Sequence, residues 1–150
     1  LEVLETTGRP MGETDDWEAP PEYDFLTIGI RWPRETLRAR IEERVNEMAR
    51  RGLADEVRRL QKAGVTRSAQ SMQAIGYKEI CEALAGECTM GKALALVNIH
   101  TRQYAKKQMT WLARDEEIEW FDADAFPNAQ ALHEKIIARI RAYQEERKHE

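Results

Sequence analysis

Apolar residues along this chain recur mostly at spacings of three and four, the period of helices that bury one face. Over about 34–51, Leu37, Ile41, Val45 and Met48 form one such stripe, Pro33 suits its start and Gly52 breaks it. Leu53, Val57 and Leu60 predict a shorter second helix stopped near Gly64. Ile80, Cys81 and Leu84 predict a third over roughly 77–85. Thr89 is a candidate N-cap for a long helix reaching about Leu112. In it Ala93, Leu94, Val97, Thr101, Tyr104, Gln108 and Trp111 keep helical spacing while the stripe turns polar towards the end. Leu132, Ile136, Ile137 and Ile140 predict a closing amphipathic helix over 129–143. Two stretches leave this period. FLTIGI, residues 25–30, predicts a strand buried on both faces, and EIEWFDAD alternates as a short strand. Two strands are too few for a sheet by themselves, so FLTIGI calls for neighbours from elsewhere.

Length and charge narrow the picture. One hundred and fifty residues, 42% of them apolar, suffice for one core. No run approaches the roughly 18 apolar residues of a membrane span. Cys81 and Cys88 show no metal-ligand spacing and read as reduced thiols of a cytoplasmic protein. The formal net charge is −4, but it is unevenly placed. Residues 1–24 hold eight acids against Arg9, and residues 9–24, which include three of the five prolines, read as an exposed acidic loop. Residues 31–62 hold ten bases against six acids, and 101–114 hold four bases and no acid. A local positive field of that kind accommodates an anionic partner whatever the global charge.

Three stretches can carry chemistry. TRQYAKKQMTWL, residues 101–112, combines Arg102, Lys106 and Lys107 with Gln108, Thr110, Tyr104 and Trp111. Cations hold phosphates, amides and hydroxyls reach base edges or sugars, and aromatic rings stack on unpaired bases. The competing reading is a solvated basic face with Tyr104 and Trp111 in the core. SMQAIGYKEI, residues 71–80, places Gly76 beside Tyr77 and Lys78, where free amides next to a helix start suit a phosphate or base. Its bland counterpart is a plain loop-to-helix junction. Arg31, Arg40 and Arg44 offer guanidinium forks for a diphosphate, against a reading in which Glu43 or Glu47 pairs with nearby arginines. His100, His133 and His149 show no metal spacing, no nucleophile pairs with a histidine, and GxxxxGK[ST] does not occur.

SMQAIGYKEI, followed by TRQYAKKQMTWL and EWFDAD, closely resembles the carboxy-terminal part of bacterial tRNA dimethylallyltransferases. LEVLETTGRP, RWPRETLRARIEERV and RGLADEVRRL resemble the same family in the same order, over about residues 1–122. The resemblance implies an α/β fold: the mostly helical C-terminal part of a P-loop kinase-like core, whose strands join a sheet from an N-terminal half. Residues 1–8 would end a helix returning from an inserted helical domain, 9–24 the acidic loop, 25–122 the core with its tRNA-contacting segments, and 123–150 the closing helix and tail. The implied reaction moves a dimethylallyl group from dimethylallyl diphosphate to N6 of the adenosine next to the anticodon, on a base flipped into a channel. The implied tRNA contacts are Gln73, Ala74, Ile75, Gly76, Tyr77, Lys78, Lys106, Lys107, Gln108, Met109, Thr110, Trp111, Leu112 and Ala113. Arg40, Arg44 and Arg102 are candidates for diphosphate or phosphate.

Relatives often carry arginine where Gln73, Lys78, Lys107 and Ala113 stand here, so some planar forks are replaced by point charges or lost. The resemblance places the diphosphate loop, the general base and the Mg²⁺ in the N-terminal half, so these residues alone are expected to be catalytically silent and monomeric, with no membrane partner. A non-catalytic RNA-binding module using the same two stretches is the alternative, and a helical interaction protein with no nucleic-acid role is a third reading.

Overall fold

The computed structural model describes residues 24–148. The expected helix end at 1–8 and nearly all of the acidic loop at 9–24 therefore lie outside the described residues. In chain order the elements are β1 (Ile28–Arg31), α1 (Arg34–Arg50), α2 (Leu53–Lys62), a 3-10 turn (Gln70–Gln73), α3 (Tyr77–Leu84), α4 (Met90–Leu112), β2 (Glu119–Asp122), a second 3-10 turn (Ala123–Ala125) and α5 (Ala129–Glu146). The arrangement is mostly helical with a small parallel sheet, the α/β class expected.

Helix α4 is the axis of the helical part, packed by both α1 and α3, and α2 leans on α3. One core holds Leu53, Val57, Met72, Ile80, Cys81 and Ala93. A second holds Ile41, Val45 and Val97, and Leu94 of α4 packs against both. The stripe of α1 is thus buried as its spacing predicts, with Ile41 and Val45 at its centre. Thr89 caps α4 by accepting the Lys92 N–H at 3.2 Å, again as predicted. Asn128 does the same for α5 through the Ala131 N–H at 2.9 Å, and α5 runs one turn beyond its expected end.

The strands correct two expectations. Among the described residues β1 and β2 pair with each other as a two-stranded parallel sheet, with Ile28 opposite Glu119 and Arg31 opposite Asp122. A parallel pair needs a long crossover, and α1 to α4 provide it. The strand also begins later than FLTIGI, and it is not buried on both faces: Phe25 is 55% and Ile30 50% exposed. Among the described residues β2 is the one strand beside β1, which leaves one edge and much of one face of β1 open to them. Gly29 lies opposite Trp120, and a Cβ there would stand 2.5 Å from the indole Cε3. The missing side chain is what lets the ring lie across the strand. Arg31 closes the pair with a two-pronged bond to Asp122 at 2.5 and 3.0 Å, which holds that carboxyl below its ordinary range. Arg31 is therefore committed to the sheet and withdrawn from the diphosphate candidates.

Candidate nucleic-acid interface

The Gly76 junction is built by backbone geometry. Gly76 has φ +103°, a region closed to side chains, and this turns the chain from the 3-10 turn into α3. Met72, fully buried, anchors the turn below it. The side chain of Gln73 folds back onto the Arg67 carbonyl at 2.7 Å, and the Tyr77 hydroxyl donates to Glu56 of α2 at 2.6 Å, which raises the phenol's pKa. Ala74, Ile75 and Lys78 are left at the surface.

The Gly76 and Lys78 amides of this junction are not free, which corrects the expectation from sequence. The Gly76 N–H donates to Glu79 Oε2 at 2.7 Å, and the Lys78 N–H to the Ala74 carbonyl at 3.1 Å. What the junction presents outward is the charge of Lys78 and the apolar surface of Ile75.

Glu79 is 2% exposed, the single buried charged residue among those described. Its second oxygen, Oε1, lies 2.6 Å from Nδ1 of His100 on α4. Burial pushes this carboxyl's pKa up, but hydrogen bonds from His100, Gly76 and its own amide outweigh burial and hold it below the ordinary value. An ionised carboxylate only accepts, so Nδ1 carries the hydrogen.

From His100 the row continues. Tyr104, Lys107 and Trp111 follow it by four, seven and eleven residues, so the four side chains line one side of α4 over about 16 Å. His100 is partly covered by the start of α3, its side chain 40% exposed, whereas Tyr104 is 56% and Trp111 73% exposed. The reading that buried both rings is thereby overturned. Arg102, Lys106, Lys107 and Arg114 have no ion-pair partner among the described residues, nor do Arg34, Arg40, Arg44, Arg59 and Arg141, while Arg38, Arg50, Arg51, Arg58, Arg67 and Arg139 do; the α4 group differs in standing beside exposed rings. Glu43 and Glu47 are taken by Arg50 and Arg51, which bears out the surface-pairing reading for those acids but with later arginines.

Two grooves flank this half of α4, each of about 460 Å³. One lies between Lys107, Thr110, Trp111 and Arg114; the other runs against α1, with Trp32, Arg34, Leu37, Arg38 and Ile41 facing Arg102, Ala105 and Met109. Gln103 and Lys106 line both and form the ridge between them. In the second groove the Arg102 Nε is buried with no hydrogen-bond partner. Arg40 and Arg44 do not join Arg102 there: Arg40 lies over the Trp32 ring at 4.3 Å, and Arg44 is exposed on α1. Gln108 and Ala113 are exposed, Leu112 is half-buried, and the Thr110 hydroxyl is spent on the Lys106 carbonyl at 3.0 Å. Sequence reasoning missed Trp32, Arg34, Arg38, Glu79 and His100. A glutamate three residues after a glycine was the one legible signal, being half of a capping box.

The family model described as IPP transferase matches residues 1–115, and the chain belongs to that family. It is 48% identical over 124 residues to a tRNA dimethylallyltransferase 2 of Geotalea uraniireducens, covering 81% of this chain and 40% of that protein. It is 38% identical over 146 residues to a tRNA dimethylallyltransferase of Thermomicrobium roseum, covering 97% and 44%. A crystal structure of a tRNA isopentenylpyrophosphate transferase from Staphylococcus epidermidis superposes with a TM-score of 0.77 at 34% identity, covering 94% of this chain and 46% of that one. The chain thus spans less than half the length of each of these proteins.

Proposed function

We propose that this chain forms the tRNA-facing wall of a tRNA dimethylallyltransferase, with the target adenosine next to the anticodon drawn between the Gly76 junction and the outer half of α4. The observation that carries the reading is the pairing of two exposed aromatic rings, Tyr104 and Trp111, with four cations that lack acidic partners among the described residues. Arg102, Lys106 and Lys107 neutralise phosphates, Gln108 supplies a hydrogen-bonding amide, and the rings stack on bases lifted out of the loop. Lys78 adds charge from the junction side. The remaining residues of the two stretches, Gln73 to Tyr77 and Met109 to Ala113, shape the channel.

Dimethylallyl diphosphate, the general base and Mg²⁺ belong in this reading to the N-terminal half of the enzyme. When bound, Mg²⁺ stabilises charge on the leaving diphosphate. No group of three or more His, Cys, Asp or Glu among the described residues is placed to hold a metal ion, so no step is assigned to it in this segment. Among the described residues no helix is long and apolar enough to cross a membrane.

The test is a fluorescence-anisotropy titration of an anticodon stem-loop RNA. Trp111→Ala is expected to weaken binding by about 1–3 kcal/mol, roughly fivefold or more, because a stacking surface is lost while the charge stays. Unchanged affinity for that variant would remove the aromatic element from the reading.

A further inference from the structure

The two stretches of the interface, 71–80 and 101–114, contain a single acidic residue between them, Glu79. An acid in a surface that meets a polyanion is a liability unless its charge is withdrawn. The fold withdraws it: Glu79 is 2% exposed and each oxygen has a donor, Gly76 N–H at 2.7 Å and His100 Nδ1 at 2.6 Å. Among the described residues the same carboxylate is the one hydrogen-bonded link from the glycine junction to α4. It meets α4 at the residue that opens the Tyr104–Lys107–Trp111 row.

We infer that Glu79 and His100 are positioning residues for RNA binding: the pair fixes the Gly76 junction against the cationic, aromatic row of α4 and keeps the one carboxylate of the two stretches turned away from phosphate. The inference rests on the tRNA-wall reading above. Neither residue needs to touch RNA. Without the imidazole, Oε1 loses its donor and the carboxylate is free to leave Gly76 for water. The junction then moves independently of Tyr104 and Lys107, and a negative charge enters the wall.

The distinguishing experiment compares His100→Ala with His100→Asn in the full chain, titrated with an anticodon stem-loop RNA. The amide nitrogen of asparagine stands where Nδ1 of histidine stands, so it can donate to Glu79; alanine cannot. Helix propensity orders the two the other way, alanine being the better former at this half-exposed site. The pair predicts that alanine weakens RNA binding about tenfold, the size of one charge-assisted hydrogen bond, and that asparagine restores it to within about threefold. A helix-stability effect alone would give the reverse order. If alanine binds as tightly as the parent while Lys106→Glu with Lys107→Glu abolishes binding, the positioning role is wrong and the wall reading stands. If asparagine binds no better than alanine, the role is also wrong. A parent chain that does not bind the RNA overturns both.

Discussion

Lys106→Glu combined with Lys107→Glu is expected to reduce affinity for an anticodon stem-loop by roughly a hundredfold or more, and to make binding less steeply dependent on salt by about two counterions. Lys106 stands on the ridge shared by both grooves and Lys107 lies in the His100–Trp111 row, so the two variants strike both faces at once. Neither lysine has an ion-pair partner among the described residues, so reversal breaks no internal contact and should leave folding intact. A binding curve and its slope against salt at matched thermal stability would check this. A helical interaction protein without a nucleic-acid role predicts no change at all. Arg102 and Arg114 remain in the double variant, so residual non-specific binding is expected to persist at low salt.

The second large effect is one of stability. Met72→Ala removes a side chain with no solvent exposure from the cluster of Leu53, Val57, Ile80, Cys81 and Ala93. A large-to-small change in such a core costs about 2–5 kcal/mol, which for a chain of this size lowers the unfolding midpoint by roughly 5–15 °C. Met72 also sits in the turn that leads directly into residues 73–78. The cavity therefore opens beneath the junction, and loss of RNA affinity should accompany loss of stability. Thermal unfolding followed by circular dichroism measures the first. A shift of under about 2 °C would mean that the turn is not anchored as described.

Much of the fold is local and could be read from the sequence. The stripe of Leu37, Ile41, Val45 and Met48, the Thr89 cap and the stop at Leu112 depend on residues within a turn or two of one another. The strands were less legible because their limits are set by pairing between positions as far apart as Arg31 and Asp122, 91 residues in sequence. Their burial depends on neighbours that no local pattern names.

The interface divides in the same way. Cations and rings at helical spacing were visible, but spacing alone could not say whether Tyr104 and Trp111 were covered. Among the described residues α3 begins beside His100, and Tyr104 and Trp111, further along α4, are exposed. The Glu79–His100 contact spans 21 residues and two helices, so periodicity carries no trace of it. The occupied amides at Gly76 and Lys78 were equally hidden, since only coordinates show where a donor is spent.

The central claim is that a glycine junction and a charged helix act as one surface. Hydrogen–deuterium exchange of the chain with and without an anticodon stem-loop RNA tests it directly. The account predicts that RNA slows exchange in peptides covering 73–78 and 102–113 together, with α5 unaffected. Protection of the 102–113 peptide alone, with 73–78 exchanging as in the free chain, would contradict it.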